Sequence, residues 1–300
     1  MGALHPGKHS RDWRPFGNPH VHRGHALIGG VDLHLHTTFS DGALDPAELV
    51  RQAAGVGLEV VAVTDHDSVD GVAPARRAAP PGLDVLSGAE LTCQVGGREA
   101  HILAYGVDVD SPSLRTALEW FRGQREERAR AIVEKLNAMG VAITFDEVAA
   151  ISGPGTIARP HVALALIANG VVASFQEAFQ RFLGRHAPAF VPKPVLDPRD
   201  AFELVRSASG VSALAHPGTF HRDDLIPLLV EVGLEALEVR HTEHSAAQCA
   251  HYEQMARNHG LLPTGGSDFH GVAGHRSRLG TPRVPRAWAD ALVARVEDGR

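Results

Sequence analysis

Two pairs of ionisable residues have the i, i+2 spacing that places both side chains on one face of a β-strand. His34 and His36 form the first pair, and Asp268 and His270 form the second. Successive side chains alternate between the two faces of a strand, so each pair can direct two donor atoms to one point. Imidazole and carboxylate groups bind divalent transition metals. Each pair therefore predicts a metal site, although two histidines beside a turn would show the same spacing.

The other candidate ligands stand at or near the ends of short apolar runs. They are Asp41, His66, Glu90, His101 and His216. Buried charges are costly unless they are paired or bound to metal. In parallel α/β barrels the active site forms at the carboxyl ends of the strands, whereas random placement would scatter such residues over both ends and the outer helices. The joint pattern therefore predicts one metal centre at one end of a barrel.

Seven short apolar or β-branched runs are predicted as the strands that position these residues. They span residues 31–35, 59–64, 84–90, 99–105, 211–215, 235–239 and 261–265. Most are followed by a helical pattern, and two helices begin with Asp-Pro, at residues 45 and 197. Alternating strands and helices favour a parallel sheet, and seven strands favour an α/β barrel over an open sheet.

The alternation stops between residues 111 and 194, which we interpret as a helical insertion that caps the substrate site. Helical patterns occupy 113–139, 145–151, 160–168 and 175–182, and Leu118, Phe121, Ile132 and Leu136 form a predicted core stripe. Pro188, Pro192 and Pro194 mark the return to the barrel. The barrel then comprises residues 30–110 and 195–300. Residues 1–29 are histidine-rich without apolar periodicity, and we predict a disordered leader.

Composition excludes several classes of function. The formal net charge of -6 argues against a broad basic face, so duplex DNA is not an expected partner. No apolar run approaches the roughly 18 residues of a membrane helix, and the leader lacks the apolar core of a secretory signal. Two cysteines form no disulfide framework, which favours the cytoplasm, although one disulfide would be compatible with the sequence.

In their order along the chain, these motifs resemble the PHP family, the polymerase and histidinol phosphatase superfamily. The resemblance lies in residues 31–36, 40–42, 64–67, 88–90, 215–217 and 266–270. It implies a distorted (β/α)7 barrel that binds three divalent cations, with Mn²⁺ favoured over Fe²⁺ or Zn²⁺. It assigns His34, His36, Glu90 and Asp268 to the first site, Glu90, His101 and His216 to the second, and Asp41, His66 and His270 to the third. Glu90 would bridge the first two.

The Ser40-Asp41-Gly42 motif is similar to the nucleotide phosphatase branch, in which an Arg-Pro-His unit of the insertion grips substrate phosphate. Here that unit begins at Arg159 and includes His161. The planar fork of arginine suits bidentate phosphate binding, although the unit would also serve as a helix start with proline in its first turn. Lys193 is a further candidate for phosphate binding.

The resemblance implies hydrolysis of the 3′-phosphate of nucleoside 3′,5′-bisphosphates to give nucleoside 5′-monophosphates. Trimming of short RNA from its 5′ end would use the same metals. A histidinol-phosphatase-like activity is less favoured because of Asp41 and the insertion. The intact ligand set argues against a non-catalytic, polymerase-associated scaffold.

Three further polar residues have weaker interpretations. Asp65, in the Thr-Asp-His-Asp motif at residues 64–67, is predicted to orient a metal-binding histidine, as carboxylates beside metal ligands commonly do. His241 and His244 follow the sixth predicted strand. Either histidine could contact substrate, or both could be solvated.

The leader supplies the first prediction. Deleting residues 2–28 should leave the melting temperature and the phosphatase activity nearly unchanged, because a segment without apolar periodicity buries little area. Differential scanning fluorimetry and phosphate release, compared with the full chain, measure both. A large loss of either would show that the leader packs against the barrel or contributes ligands.

Overall fold

Seven strands form one sheet in sequence order, and the sheet curls into a nearly closed barrel. The computed structural model describes residues 30–153, 155–193, 195–272 and 277–299, so the predicted leader and Pro194 lie outside the described residues. The strands are β1 (Gly30–Leu35), β2 (Leu58–Val63), β3 (Asp84–Val95), β4 (Arg98–Tyr105), β5 (Val211–Leu214), β6 (Ala236–His241) and β7 (Leu262–Gly266). The predicted seven-stranded barrel is confirmed.

The seam between β7 and β1 is closed by the segments that carry the ligands. The backbone N–H of His36 donates to Phe269 O at 3.0 Å. The buried carboxylate of Asp32 accepts from Ser267 N and Gly280 N, both at 2.8 Å. The two i, i+2 pairs thus meet across the seam.

The parallel arrangement predicted from the strand–helix alternation is wrong at β4. β3 continues five residues beyond Glu90, and Gly96 and Gly97 then turn the chain with φ values of 54° and 77°. Two consecutive positive φ angles are typical of the tight hairpin turn that glycine favours. As a result β4 runs antiparallel to both β3 and β5. His101 therefore reaches the metal centre from the early part of its strand.

The helices cover the outside of the barrel and build the insertion. They are α1 (Pro46–Gly55), α2 (Val72–Ala78), α3 (Pro112–Ala138), α4 (Phe145–Ser152), α5 (Arg159–Ala168), α6 (Phe175–Ala178), α7 (Pro198–Ser207), α8 (Pro217–Phe220), α9 (Ile226–Glu231), α10 (Ala246–His259) and α11 (Arg286–Asp298). A π-helical turn, Phe179–Leu183, follows α6. The Asp-Pro signals are confirmed, since Asp45 caps α1 and Asp197 caps α7. Within the described residues, no helix is long and apolar enough to cross a membrane.

The insertion has an apolar core of its own. One cluster of buried side chains lies entirely between Ala129 and Ala189, on α3 to α6 and the chain that follows them. The predicted stripe is confirmed as core: Ile132 and Leu136 belong to this cluster, and Leu118 packs with the barrel. This separate core supports the proposed insertion over residues 111–194, with the barrel formed by residues 30–110 and 195–300.

Cys93 and Cys249 are both free thiols.

A buried ion pair fastens the insertion to the barrel. The Nε of Arg125 on α3 donates to Asp67 Oδ2 at 2.9 Å. Asp67 follows β2 and also accepts from Thr92 N at 2.9 Å and Thr92 Oγ1 at 3.2 Å. Burial opposes ionisation of Asp67, but the Arg125 guanidinium outweighs it and lowers the pKa of the carboxyl. The pair therefore fixes α3 over the mouth of the barrel.

This pair generates the second prediction. Arg125→Leu leaves the Asp67 carboxylate buried without its cation, which should cost about 3–5 kcal/mol of unfolding free energy. Arg122→Leu, on the same helix, is the matched control. Its exposed ion pair with Asp70 spans 3.8 Å, and exposed pairs contribute about 0–1 kcal/mol. Urea denaturation measures both variants, and equal losses would contradict an anchoring role for Arg125.

Candidate metal centre

Histidine and carboxylate side chains from all seven strands, or from the segments that follow them, converge at the mouth of the barrel. All nine predicted metal ligands lie in this cluster, and the structure adds His241 and Glu238. Within the described residues the set is His34, His36, Asp41, His66, Glu90, His101, His216, Glu238, His241, Asp268 and His270. Each of the nine comes from a segment that the sequence motifs had singled out.

Glu90 lies at the centre of the cluster with 1% of its surface exposed. Its two carboxylate oxygens face different sets of imidazoles. Oε2 lies 3.0 Å from His66 Nδ1, 3.3 Å from His36 Nε2 and 3.4 Å from His34 Nε2. Oε1 lies 2.7 Å from His101 Nδ1 and 3.1 Å from His216 Nε2. This arrangement suits a carboxylate that bridges two cations.

Asp268 and Asp41 complete two further groups. Asp268 Oδ1 lies 3.1 Å from His36 Nε2 and 3.5 Å from His34 Nε2. Asp41 Oδ1 lies 3.3 Å from His270 Nε2, and Asp41 Oδ2 lies 3.9 Å from His66 Nε2. The ligand atoms of His36, Asp41, His66 and His270 all lie within 4.8 Å of one another.

The donor set fits divalent cations. With metal–ligand bonds of about 2.0–2.2 Å, two ligands of one ion stand roughly 3.0–3.5 Å apart, as these side chains do. Five buried ligand atoms in the cluster have no hydrogen-bond partner: His34 Nε2, His36 Nε2, Asp41 Oδ1, His66 Nδ1 and Glu90 Oε2. A buried polar atom left unpaired costs about 1–3 kcal/mol. Bound cations would satisfy all five.

The outward nitrogens of four imidazoles are held by the protein. Nδ1 of His34 donates to Glu238 Oε1 at 3.0 Å, and Nδ1 of His270 donates to the backbone oxygen of Asp268 at 3.0 Å. Nδ1 of His36 and of His216 faces the hydroxyls of Ser40 and Thr219, at 3.4 and 3.1 Å. A proton on Nδ1 leaves the Nε2 lone pair facing the cluster, as a metal ligand requires.

His101 reaches the cluster through its other nitrogen. Its Nε2 lies 3.1 Å from Glu99 Oε1, so the proton stands on that side and Nδ1 faces Glu90. β4 runs antiparallel to its neighbours, so His101 enters the site from a strand of opposite chain direction.

Asp65 acts less directly than the sequence predicted. Its carboxylate accepts from Thr37 N, Thr37 Oγ1 and Ser40 Oγ, each at 2.7 Å. Ser40 in turn faces His36 Nδ1, so Asp65 orients His36 through the Ser40 hydroxyl. It also fixes the loop from Thr37 to Ser40, from which Asp41 reaches the cluster.

Sequence reasoning missed Glu238. Its Oε1 accepts from His34, and its Oε2 accepts from His216 N at 2.6 Å, so one carboxylate positions two predicted ligands. A single glutamate inside the apolar run of β6 was the available signal. The solvated alternative for His241 is wrong, because His241 ends β6 with 4% of its surface exposed.

The cluster's electrostatics favour cation binding. Burial opposes ionisation of Glu90, Asp41 and Asp268, but the surrounding imidazoles outweigh it and hold the pKa of each carboxyl well below its usual range. Burial lowers the pKa of His66 to about 3, which keeps that ring neutral. Burial also opposes protonation of His36, yet Asp268 and Glu90 raise its pKa to about 10. The same negative field would attract metal ions.

The predicted phosphate ligands Arg159 and Lys193 line one cleft of about 310 Å³ beside the metal cluster. Arg159 Nη1 donates to Leu183 O at 3.2 Å. Lys193 Nζ lies 2.7 Å from Glu99 Oε1 and 3.3 Å from His101 Nε2. The cleft thus adjoins the second predicted metal site.

Arg128 on α3 is a cation of this cleft that the sequence did not reveal. It is 8% exposed, and its Nε donates to Val191 O at 2.9 Å. Burial, with Arg159 and Arg125 nearby, lowers the pKa of Arg128 to about 9. Its position within a long amphipathic helix resembles that of any exposed arginine, so only the fold identifies it.

His161 lies at the start of α5 and is 6% exposed. Its Nδ1 accepts from Ala158 N at 3.0 Å. Burial lowers the pKa of His161, and the Asp41 carboxylate opposes that shift. A neutral ring with Nδ1 as acceptor carries its proton on Nε2. The helix-start alternative is confirmed, because the unit begins α5 and His161 caps that helix.

Comparison with known proteins identifies the family to which the chain belongs. A family model described as the PHP domain matches residues 32–184. The 3′,5′-nucleoside bisphosphate phosphatase of Chromobacterium violaceum is 33% identical over 285 residues, which cover 90% of this chain and 98% of that protein. A 5′-3′ exoribonuclease of Haemophilus influenzae is 32% identical over 245 residues, which cover 80% and 89% of the two chains.

Two solved structures agree with the fold. A protein of Bifidobacterium adolescentis assigned as a metal-dependent phosphoesterase superposes with a TM-score of 0.82 at 32% identity, covering 89% of this chain and 96% of its own. The structure of an amidohydrolase from Chromobacterium violaceum, with bound sulfate and no metal, superposes with a TM-score of 0.78 at 32% identity, covering 89% of this chain and 97% of its own.

The third prediction concerns Glu90. Glu90→Gln keeps the shape of the side chain but removes the charge that faces two groups of imidazoles. We expect the purified variant to hold at least one metal ion fewer per chain and to lose activity by about 100-fold or more. Mass spectrometry of bound metals after gel filtration measures the first effect. Glu59→Gln is the control, because Glu59 lies at the start of β2, away from the strand end that faces the cluster. Unchanged metal content in Glu90→Gln would refute the bridging role.

Proposed function

The chain belongs to the PHP family and is a phosphoric ester hydrolase, and we propose that its substrates are nucleoside 3′,5′-bisphosphates. It would remove the 3′-phosphate and release a nucleoside 5′-monophosphate. The relative from Chromobacterium violaceum carries the name of this activity. The proposal rests on one observation in the structure, which is a cationic cleft directly beside the metal cluster.

The charge of the cleft supports a second phosphate. Four cationic side chains and one carboxylate line it; they are Arg128, Arg159, Arg185 and Lys193, with Glu99 as the carboxylate. Lys193 and His101 are 3.3 Å apart, so a phosphate in the cleft would lie next to a phosphate at the metals. Guanidinium groups bind phosphate through two parallel hydrogen bonds. A substrate with two phosphates on one nucleoside matches this pair of anion sites.

We propose that the ligand set holds three divalent cations, with Mn²⁺ favoured and Fe²⁺ or Zn²⁺ compatible with mixed imidazole and carboxylate ligands. His34, His36, Glu90 and Asp268 would form the first site, Glu90, His101 and His216 the second, and Asp41, His66 and His270 the third. When bound, such cations polarise phosphoryl oxygens and lower the pKa of water towards neutrality.

The protein's own groups would position the substrate. Arg128, Arg159 and Lys193 would hold the phosphate that is not cleaved, and His161 would donate from Nε2 to a substrate oxygen. The insertion, anchored through Arg125, would keep this cleft closed on one side and limit access of bulk water. Positioning of this kind contributes much of the rate enhancement in phosphoryl transfer.

Trimming of short RNA from its 5′ end is a second candidate. Exoribonucleases of Haemophilus influenzae and Escherichia coli are 32% and 29% identical to this chain. A terminal 5′-phosphate of RNA offers the cleft the same group as a nucleoside bisphosphate does.

We also propose a cytoplasmic location, in keeping with the two free thiols.

A substrate panel tests the proposed function. It compares phosphate release from adenosine 3′,5′-bisphosphate, adenosine 3′-monophosphate and histidinol phosphate, and nucleotide release from a short 5′-phosphorylated RNA. We expect the bisphosphate to exceed the 3′-monophosphate in kcat/KM by about 10–150-fold, because the latter lacks the charge-assisted contact in the cleft. Equal values would contradict a second phosphate site, and preference for histidinol phosphate would replace the proposal.

The fourth prediction concerns Arg159. Arg159→Ala should lower kcat/KM for the bisphosphate by about 10–150-fold and leave p-nitrophenyl phosphate hydrolysis nearly unchanged, since that ester has no second phosphate. Arg128→Ala should show the same selectivity. Arg181→Ala is the control, because this exposed insertion arginine pairs with Glu177. Equal losses on both substrates would assign Arg159 to the reacting phosphate, and no loss on either would leave it only a role at the helix start.

A further inference from the structure

One histidine at the metal centre has the opposite hydrogen-bond polarity from its neighbours. The backbone N–H of Glu243 donates to His241 Nδ1 at 3.2 Å. A neutral imidazole has one donor and one acceptor nitrogen, so an occupied Nδ1 lone pair places the proton on Nε2. At His34, His36, His216 and His270 the outward Nδ1 instead faces an oxygen acceptor.

The Nε2–H of His241 is directed into the cluster without a partner. His241 is 4% exposed, and its Nε2 is buried with no hydrogen-bond partner. Asp268 Oδ2 lies 3.5 Å away, without good hydrogen-bond geometry, and although burial opposes protonation of the His241 ring, this carboxylate raises the pKa of the ring. The ring stands 5.4 Å from that of His216 and 6.1 Å from that of His34. A donor therefore faces the space beside Asp268 at the edge of the first predicted metal site.

A metal ligand is the main alternative role. Donor atoms of His34, Glu238 and His241 lie within 4.8 Å of one another, a spacing that could hold an ion. However, the Glu238 oxygens already accept from His34 Nδ1 and His216 N. The lone pair of His241 Nδ1 is also occupied. An ion there would displace these hydrogen bonds and the Nε2 proton of His241.

The neighbouring His244 fixes the orientation of this part of the site. Its Nδ1 donates to Val239 O at 2.9 Å, and its Nε2 accepts from Gly218 N at 3.0 Å. Both of its nitrogens are committed, and its ring lies 5.4 Å from that of His241. His244 thus ties α8 to β6 and forms a wall behind His241.

We infer that His241 is a substrate-binding residue whose Nε2–H donates to a non-bridging oxygen of the phosphoryl group bound beside Asp268. The inference rests on the proposed function. An unsatisfied buried N–H is costly, and a phosphoryl oxygen in that space would satisfy it. His241 transfers no proton in this role, because loss of the Nε2 proton would leave an imidazolate while Nδ1 accepts from Glu243.

Inorganic phosphate and metal content test the inference together. In zinc-loaded His241→Ala, we expect the wild-type number of metal ions per chain but a phosphate Kd weakened by about 10-fold or more, measured by calorimetry. His241→Gln, whose amide can donate, should recover part of the affinity. The control is His251→Gln, at an exposed position on α10, which should match wild type in metal content and in phosphate Kd. Loss of a metal ion would make His241 a ligand, and an unchanged phosphate Kd would also overturn the inference.

Nitrogen chemical shifts of the unmutated protein test the same point, with His241→Gln used only to assign the signals. In long-range ¹H–¹⁵N spectra of the zinc-loaded chain, assigned by the peak lost in His241→Gln, Nε2 of His241 should be protonated and Nδ1 should be an acceptor. A proton on Nδ1 would refute the inference. Both readouts are independent of turnover, so they stand even if no ester in the substrate panel is hydrolysed.

Discussion

The burial of Glu90 among five imidazole nitrogens is the constraint on which the rest of the structure depends. A carboxylate removed from water needs compensating charge, and both oxygens of Glu90 lie within 3.4 Å of imidazole nitrogens. Protonated imidazoles could supply this charge but could not bind metal, whereas cations shared between the two sides would supply it with the rings neutral. The barrel satisfies this constraint by bringing ligands from six strands to one mouth. Glu238, Ser40 and Thr219 then hold the outward nitrogens so that the lone pairs converge.

Strand β3, which carries Glu90, also connects the metal centre to the phosphate cleft. β3 carries Glu90 into the cluster and, two residues later, Thr92, which binds Asp67 through N and Oγ1. Asp67 anchors Arg125 of α3, and Lys193 Nζ lies 3.4 Å from Thr92 Oγ1. Displacement of the insertion would therefore move the cleft relative to the metals. The buried Arg125–Asp67 pair therefore holds the cleft in a fixed position relative to the candidate metal ligands.

The sequence predicted the strands and the clustering of the nine candidate ligands, because both depend on local patterns. Alternation places His34 with His36 and Asp268 with His270, whatever the rest of the fold does. The antiparallel β4 was missed although Gly96 and Gly97 marked the hairpin. Glu238 gave a local signal as a glutamate within an apolar strand, but its role depends on His34, 204 positions away. Arg128 and the burial of His241 could not be predicted locally, because only the fold places their surroundings. The orientation of the His241 ring depends on one backbone N–H that only the fold places.

The most direct test of this account is the number and position of bound cations. Crystals grown with Mn²⁺ should show anomalous scattering peaks at the barrel mouth. We expect three peaks, one beside Asp268 and His34, one beside His101 and His216, and one beside Asp41 and His270, with Glu90 in contact with the first two. No peak within bonding distance of Glu90, or a peak bound by His241 Nε2 and Glu238, would contradict the account.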